Sequence, residues 1–195
     1  MRTLIFDTET TGMVNHKVPN PTKQPYPVQL ACIITEGPKI MSSLKVYVDP
    51  GVPVGDGAFK THGITEEVIK KYGISLKAAT ALFINFIKRC DRIVAHNLDF
   101  DVIITEAMII RTMAKFDLDN YRKIPRVCTM ISTTEVCKIP GKYGYKWPSL
   151  EEAYKHMVDP NGFVGAHDAM TDVMACRRIL QALEEGSHPL LKGKR

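Results

Sequence analysis

The order of strand-like and helix-like segments is the feature that most limits the fold of this chain. Strand-like segments dominate the first 48 residues, whereas helical periodicity interrupted by single short strands dominates the rest. Such an order is typical of a layered domain in which helices cover a mixed sheet. We therefore expect an α/β domain, with strands at residues 2–8, 28–35, 42–48, 92–96 and 126–130.

Capping signals mark several helix starts. Ser149 and Glu152 have the spacing of a capping box, in which each side chain bonds the other's backbone N–H. Gly186 is a suitable stop for the last helix. The predicted helices start at Thr65, at Ser75, near Asp101 (continuing to about Phe116), at Ser149 and at residue 168.

Length and composition indicate one globular domain. The chain has 195 residues, of which 45% are apolar and 24% charged. We assign residues 1–186 to the domain and residues 187–195 to a short basic tail, which we expect to be disordered. No apolar run approaches the roughly 20 residues of a membrane span, so no membrane partner is expected. The net charge of +5 favours a polyanionic partner.

The cysteines predict a reducing environment. There are five, an odd number, and no CxxC pair occurs. This usage is typical of free thiols in a cytoplasmic protein. A zinc site is not expected, because no cysteine and histidine cluster has ligand spacing.

Asp7 and Glu9 are the first candidate metal ligands. Two residues apart on a strand, they lie on the same face, with roughly 7 Å between them along the chain. Burial together would raise the pKa of each carboxyl unless a cation lay between them. Alternatively, both face water at the end of the strand. The following Thr10-Thr11-Gly12 turn could offer backbone N–H groups to a phosphate or a base.

Further candidates lie downstream, at a strand-to-helix junction and near the last helix. Asp101 is preferred over Asp99, which is expected to face solvent, although Asp101 could also serve only as a helix cap. Asp172 is expected inside the last helix, with His167 just before it as a candidate general base. Asp168 is expected in the first turn as a partner of the helix dipole.

These acidic residues together predict a two-metal centre. Two ions about 3.5–4 Å apart can stabilise the attacking and leaving oxygens of a phosphodiester during in-line displacement. Oxygen ligands suit Mg²⁺ or Mn²⁺ rather than zinc.

Four short motifs resemble those of the DEDDh, or DnaQ-like, 3′→5′ exonuclease family. DTETTG is similar to its first motif, HNLDFD to its second and HDAMTD to its third, and HGIT lies between the first two. The resemblance extends over about residues 2–185 and implies an RNase H-like fold with a mixed central sheet flanked by helices. It also implies removal of nucleotides from 3′ ends as 5′-monophosphates, and hence that residues 1–186 form an exonuclease domain.

The resemblance also implies roles for the residues of these motifs. Asp7, Glu9 and Asp172 would hold the first metal ion. Asp7 would bridge to the second ion, with Asp101 assisting, largely through water. His167 would deprotonate the attacking water. The residues implied to contact the substrate are Thr10, Thr11, Met13, His62 and Asn97.

The chain departs from the family pattern at several positions. Loop 14–27 contains four prolines and is longer than usual. Relatives often carry an acidic residue near the position of Gln29, which puts substrate contacts on that side in doubt. Trp147 could stack on a base, but we expect it to pack under loop 138–148.

The favoured function is metal-dependent exonuclease action on single-stranded 3′ ends of DNA or RNA, with a DNA polymerase as a candidate partner in proofreading. One alternative is an RNA exonuclease similar to oligoribonuclease or RNase T. Another, less favoured, is a non-catalytic nucleic-acid-binding protein, which would be expected to lack one of the acids or the histidine.

Overall fold

The computed structural model describes residues 1–113 and 118–186. The predicted basic tail and the end of the helix expected to reach Phe116 lie outside these residues. A six-stranded mixed sheet has the order β4-β3-β2-β1-β5-β6. Its strands are β1 (Arg2–Thr10), β2 (Pro27–Glu36), β3 (Lys39–Asp49), β4 (Ile74–Ser75), β5 (Arg92–Ala95) and β6 (Arg126–Cys128). Strands β1, β2 and β3 pair antiparallel, whereas β5 runs parallel to β1 and β6.

Helices cover both faces of this sheet, which confirms the predicted fold class. In the described residues they are α1 (Asp56–His62), α2 (Glu66–Tyr72), α3 (Leu76–Ile87), α4 (Leu98–Thr112), α5 (Leu118–Lys123), α6 (Thr129–Cys137), α7 (Leu150–Met157) and α8 (Ala169–Glu185). No helix in the part of the chain that the structure describes is long and apolar enough to cross a bilayer.

Strand β1 lies in the centre of the sheet and is buried on both faces. Leu4 and Phe6 belong to a core cluster with residues of α3 and α4, whereas Ile5 packs in a second cluster with residues of α8. Because side chains alternate along a strand, positions 7 and 9 share the α8 face with Ile5, and position 8 points toward α4. This alternation determines which helix each polar residue of β1 meets.

Most predicted elements are present, and the capping box of Ser149 and Glu152 is confirmed. Among the described residues three helices, α1, α5 and α6, were not predicted. The glycines and prolines of residues 50–58 are typical of a loop, but α1 begins at Asp56. The last predicted strand was too long, because Thr129 already starts α6.

The side chains of Gln24 and Arg111 hold loop 14–27 in place. The Gln24 side chain donates to the Asn15 and Val18 carbonyls, both at 2.9 Å, and accepts from the Asn15 N–H at 3.0 Å. Arg111 of α4 donates to the carbonyls of Thr22, Gln24 and Pro25 and stacks on Tyr26, 3.6 Å from the ring centroid. These contacts fix the loop against α4.

Trp147 does not pack under loop 138–148, so that prediction was wrong. The loop forms a hairpin of β7 (Pro140–Gly141) and β8 (Gly144–Tyr145), extended by the bond from the Lys146 N–H to the Ile139 carbonyl at 2.9 Å. This hairpin lies at the surface, and the Trp147 side chain that follows it is 66% exposed.

Candidate active site

One cavity of about 580 Å³ at the end of the central strands collects the predicted site residues. Its wall includes Asp7, Glu9, Thr10, Thr11, Met13, His62, Asn97, Asp101, His167 and Asp172. These residues come from four separate parts of the sequence, and the fold brings all ten to the same cavity. We call it the catalytic cavity below.

The carboxylates of β1 reach the cavity at the point where the strand becomes irregular. Glu9 is only 9% exposed, and Asp7 is half-buried. A shift of register between Glu9 and Thr10 interrupts the pairing with β2. Such irregularities bend a strand and reorient its side chains, and they are common beside active sites. The alternative that both acids face water is therefore wrong.

Asp101 enters the cavity from the first turn of α4. Its side chain is 2% exposed, and its Oδ1 accepts hydrogen bonds from the Thr8 N–H at 2.9 Å and the Thr8 hydroxyl at 2.8 Å. Asp99 is exposed and does not line the catalytic cavity. Asn97 precedes α4 with a φ of 67°, a left-handed conformation that asparagine adopts more readily than most residues.

Asp172 and His167 complete the cavity from the start of α8. Asp172 Oδ2 accepts a hydrogen bond from the His167 N–H at 3.2 Å, and this His167 backbone is left-handed, with a φ of 67°. Ligand atoms of Glu9, His167 and Asp172 lie within 4.8 Å of one another. Asp172 Oδ1 is buried and has no hydrogen-bond partner among the described residues. A buried carboxylate oxygen with no donor is a fitting ligand for a cation.

The carboxylates disfavour one another's ionisation. Burial, followed by repulsion from Asp172 and Asp101, raises the pKa of Glu9 to about 8. Burial raises the pKa of Asp101 to about 7 even though the Thr8 hydrogen bonds oppose it, and raises that of Asp172 to about 6. Burial and its acidic neighbours raise the pKa of Asp7 well above its usual value. Divalent cations would relieve this repulsion, so the donor set fits Mg²⁺ or Mn²⁺.

The ring nitrogens of two other histidines at the cavity are engaged by backbone or hydroxyl groups. His62 Nδ1 accepts from the Ile64 N–H at 3.0 Å, which leaves Nε2 to donate to the Thr10 carbonyl at 3.2 Å. His96 is held between the Thr129 hydroxyl and the Pro148 carbonyl, both at 3.0 Å, and burial lowers its pKa to about 4. His167, by contrast, is exposed, and its ring forms no hydrogen bond with the described residues.

The turn after β1 offers fewer backbone donors than expected. The Thr11 N–H donates to the Tyr26 carbonyl at 2.8 Å, so it is not free for a phosphate. The Thr10 hydroxyl donates to the Gly12 carbonyl at 2.7 Å. Met13 is 82% exposed at the rim of the cavity.

A polar network that sequence reasoning missed anchors the start of α8. Asp168 is the N-cap rather than a residue of the first turn, and its Oδ1 accepts from the Thr171 N–H at 3.2 Å. Its Oδ2 accepts from the Lys45 ammonium at 2.5 Å and the Gln29 amide at 3.3 Å. Gln29 also accepts from the Ala169 N–H at 2.7 Å. Strands β2 and β3 therefore hold the residue next to His167.

Comparison with known proteins agrees with this arrangement. The exonuclease family model RNase_T matches residues 4–180. The DNA polymerase III subunit epsilon of Buchnera aphidicola subsp. Acyrthosiphon pisum is 32% identical over 152 residues, covering 72% of this chain and 56% of that protein. An uncharacterized exonuclease of Escherichia phage 186 is 28% identical over 194 residues, covering 94% of this chain and 88% of that protein.

The fold has solved counterparts. Escherichia coli exonuclease I in complex with a dT13 oligonucleotide superposes with a TM-score of 0.76 and 20% identity, over 94% of this chain and 41% of that one. The chain thus spans 56% of the Buchnera protein and less than half of exonuclease I. The match of the family model over residues 4–180 shows that the chain belongs to the DnaQ-like (DEDDh) exonuclease family.

Proposed function

We propose that the chain hydrolyses phosphodiester bonds at single-stranded 3′ ends and releases nucleoside 5′-monophosphates. The observation that carries this proposal is the meeting of four carboxylates and one exposed histidine in the catalytic cavity. The Escherichia coli exonuclease I structure contains a dT13 oligonucleotide, which favours single-stranded DNA over RNA as the substrate. The resemblance to polymerase subunits makes a DNA polymerase a candidate partner. The five free thiols suit the reducing cytoplasm.

The carboxylates are proposed to hold two divalent ions. Asp7, Glu9 and Asp172 would hold one, and Asp7 and Asp101 the other. Bound Mg²⁺ or Mn²⁺ would stabilise the charge that develops on the reacting phosphate and lower the pKa of the attacking water. The unpartnered Oδ1 of Asp172 and the raised pKa values of all four carboxyls support this assignment.

His167 is proposed to take the proton of the attacking water. Its ring is exposed at the mouth of the cavity, with ligand atoms of Glu9 and Asp172 nearby. His62 and His96 are unsuited to this role because backbone or hydroxyl groups occupy their ring nitrogens. The Thr10-Thr11 turn, Met13 and Asn97 would then position the terminal nucleotide.

The test is product analysis on 5′-labelled DNA and RNA oligomers with Mg²⁺. A ladder that shortens from the 3′ end, with release of nucleoside 5′-monophosphates, is expected. Asp7→Ala should abolish it, whereas Glu67→Gln, at an exposed acid on α2 that does not line the catalytic cavity, should not. Rapid cutting of a circular single strand would exclude an exonuclease. Faster degradation of short RNA than of DNA would favour the oligoribonuclease-like alternative.

A further inference from the structure

A second cavity of about 230 Å³ adjoins the catalytic cavity. Both are bordered by Met13, Asn97 and Phe100, so these three residues form the boundary between the two cavities. The far side of the second cavity includes Ile131 and Trp147. We call it the outer groove. A polymer held at its terminus in the catalytic cavity would have its next unit within reach of this groove.

The rim of the outer groove is unusually apolar for a surface. Trp147 is 66% exposed, Ile131 52% and Met13 82%. Three large exposed apolar side chains around one depression indicate a binding surface rather than chance. The indole is available because the hairpin β7–β8 carries it outward instead of covering it.

The charges around the outer groove favour a base inside the groove and a phosphate outside it. Its lining includes one acid, Asp99, which would repel a phosphate group, and one exposed imidazole, His16, which can stack on or hydrogen-bond a base. Cations lie instead on the adjoining hairpin segment, where Lys138 and Lys142 are exposed and Lys146 is paired with Glu152 at 2.6 Å. An uncharged planar group thus fits the groove, and a phosphate backbone fits beside it along the hairpin.

We propose that the outer groove binds a nucleobase of the substrate strand, next to the terminal nucleotide, stacked on the Trp147 indole. Aromatic stacking beside a basic surface accommodates any base, since every base has a π face. This inference rests on the proposed function, because it assumes that a single strand ends in the catalytic cavity. It assigns this chain a specificity for polymers of at least two nucleotides.

Trp147 is the only tryptophan in the chain, so its fluorescence reports the groove directly. The probe is a (dT)₁₂ oligomer with phosphorothioate linkages at its 3′ end, titrated in Ca²⁺ to suppress hydrolysis. Stacking should quench the emission in a saturable manner. The same oligomer made abasic at the positions next to the terminus should bind more weakly and give little quenching. Equal quenching by both oligomers would overturn the proposal.

Kinetic measurements on Trp147 variants provide a second test of the proposal. Trp147→Ala should lower kcat/KM on (dT)₁₂ roughly 5- to 150-fold, which is the effect of losing one stacked base. It should leave hydrolysis of the p-nitrophenyl ester of thymidine 5′-monophosphate unchanged, because this substrate has only one nucleoside. Trp147→Phe should retain most of the activity on the oligomer. Tyr72→Ala is the matched control, since Tyr72 is 60% exposed on α2 and borders neither cavity.

The outcomes separate the two proposals. An equal loss on both substrates, or no loss on the oligomer, would exclude the outer groove as a base site. If the wild type hydrolyses neither substrate, the proposed function fails, while quenching that depends on the neighbouring base would still support stacking on Trp147.

Discussion

Thr8 supports Asp101 twice, because Asp101 Oδ1 accepts both the backbone N–H and the hydroxyl of Thr8, at 2.9 and 2.8 Å. The two residues are 93 positions apart and face each other between β1 and α4. Hydrogen bonds to a carboxylate favour its ionised form. Burial still raises the pKa of Asp101 to about 7, and it would rise further without Thr8.

Thr8→Val removes the hydroxyl donor and retains the backbone donor. The pKa of Asp101 should then rise, so the acidic limb of the pH–rate profile should move to higher pH. A hydrogen bond to a charged group contributes about 1.5–3 kcal/mol, so kcat/KM near neutral pH should fall about tenfold or more. The measurement is the pH dependence of oligomer hydrolysis in Mg²⁺.

Thr3→Val is the control for Thr8→Val. Thr3 lies on the same strand, is equally buried, and its hydroxyl accepts from Arg92 rather than from a cavity residue. Thr3→Val should lower the free energy of unfolding without shifting the pH–rate profile. An unshifted acidic limb in Thr8→Val would remove Thr8 from this positioning role.

The acid cluster predicts that the metal-free protein loses stability as pH rises. Glu9, Asp101 and Asp172 have folded-state pKa values of about 8, 7 and 6, above their ordinary values of 4.5 for glutamate and 3.8 for aspartate. The folded state therefore keeps protons that the unfolded chain releases. The unfolding free energy in EDTA should be highest near pH 4 and fall as pH rises to about 8.

Mg²⁺ should restore the unfolding free energy that is lost as pH rises, and it should do so more strongly at pH 8 than at pH 5. A change of only about 2 kcal/mol moves the Tm by about 4–8 °C in a domain of this size. The measurement is the Tm at both pH values, in EDTA and in Mg²⁺. Asp7→Asn should raise the Tm at pH 8 in EDTA and reduce the Mg²⁺ effect, whereas Asp99→Asn should do neither. A Tm in EDTA that does not change between pH 5 and 8 would contradict the electrostatic account.

His167→Asn should slow hydrolysis about 10²–10⁴-fold, the usual contribution of a general base. Asparagine is the better replacement than alanine, because the backbone at this position has a φ of 67°. His156→Asn, an exposed histidine in the last turn of α7, is the control. Hydrolysis by His167→Asn at the rate of the wild type would exclude His167 as the base.

Sequence periodicity was sufficient to predict the fold class and the face of the sheet on which residues of a strand lie. The two-residue spacing of Asp7 and Glu9 on an apolar strand predicts a shared face, and the structure places them on the α8 face. Helix α1 was missed because the glycines and prolines of residues 50–58 indicate a loop, yet the helix begins at Asp56 and includes Gly57. None of the residues of α1 is buried, so the helix has no apolar stripe that sequence periodicity could detect.

Contacts between distant residues could not be predicted in this way. The partner of Thr8 lies in another motif, and nothing in the sequence around position 8 indicates it. The prediction that Trp147 packs under loop 138–148 was wrong because tryptophan is usually largely buried, whereas the hairpin before it leaves this side chain exposed. Gln29 was treated as a departure from the family, but its role depends on Asp168, 139 positions away.

Gln29 and Asp168 meet at the start of α8, where the Gln29 amide both donates and accepts a hydrogen bond. The Gln29 side chain accepts from the Ala169 N–H at 2.7 Å and donates to Asp168 Oδ2 at 3.3 Å. A glutamate could make the first bond but not the second, and its charge would oppose that of Asp168. Burial acts to raise the pKa of Asp168, but hydrogen bonds from Lys45 and the Thr171 N–H outweigh it and lower that pKa.

Gln29→Glu should therefore destabilise the start of α8 and lower kcat, because His167 directly precedes the capping residue Asp168. Asp168→Asn in the same chain should restore both, since an asparagine can donate to the new carboxylate and still cap the helix. The double-mutant cycle is measured as Tm and kcat at pH 7, with Asp168→Asn alone as the reference. If Asp168→Asn restores Tm and kcat in the Gln29→Glu variant, positions 29 and 168 interact directly. If the two effects simply add, the network does not position His167, and Gln29 serves only as a buried acceptor for the Ala169 N–H.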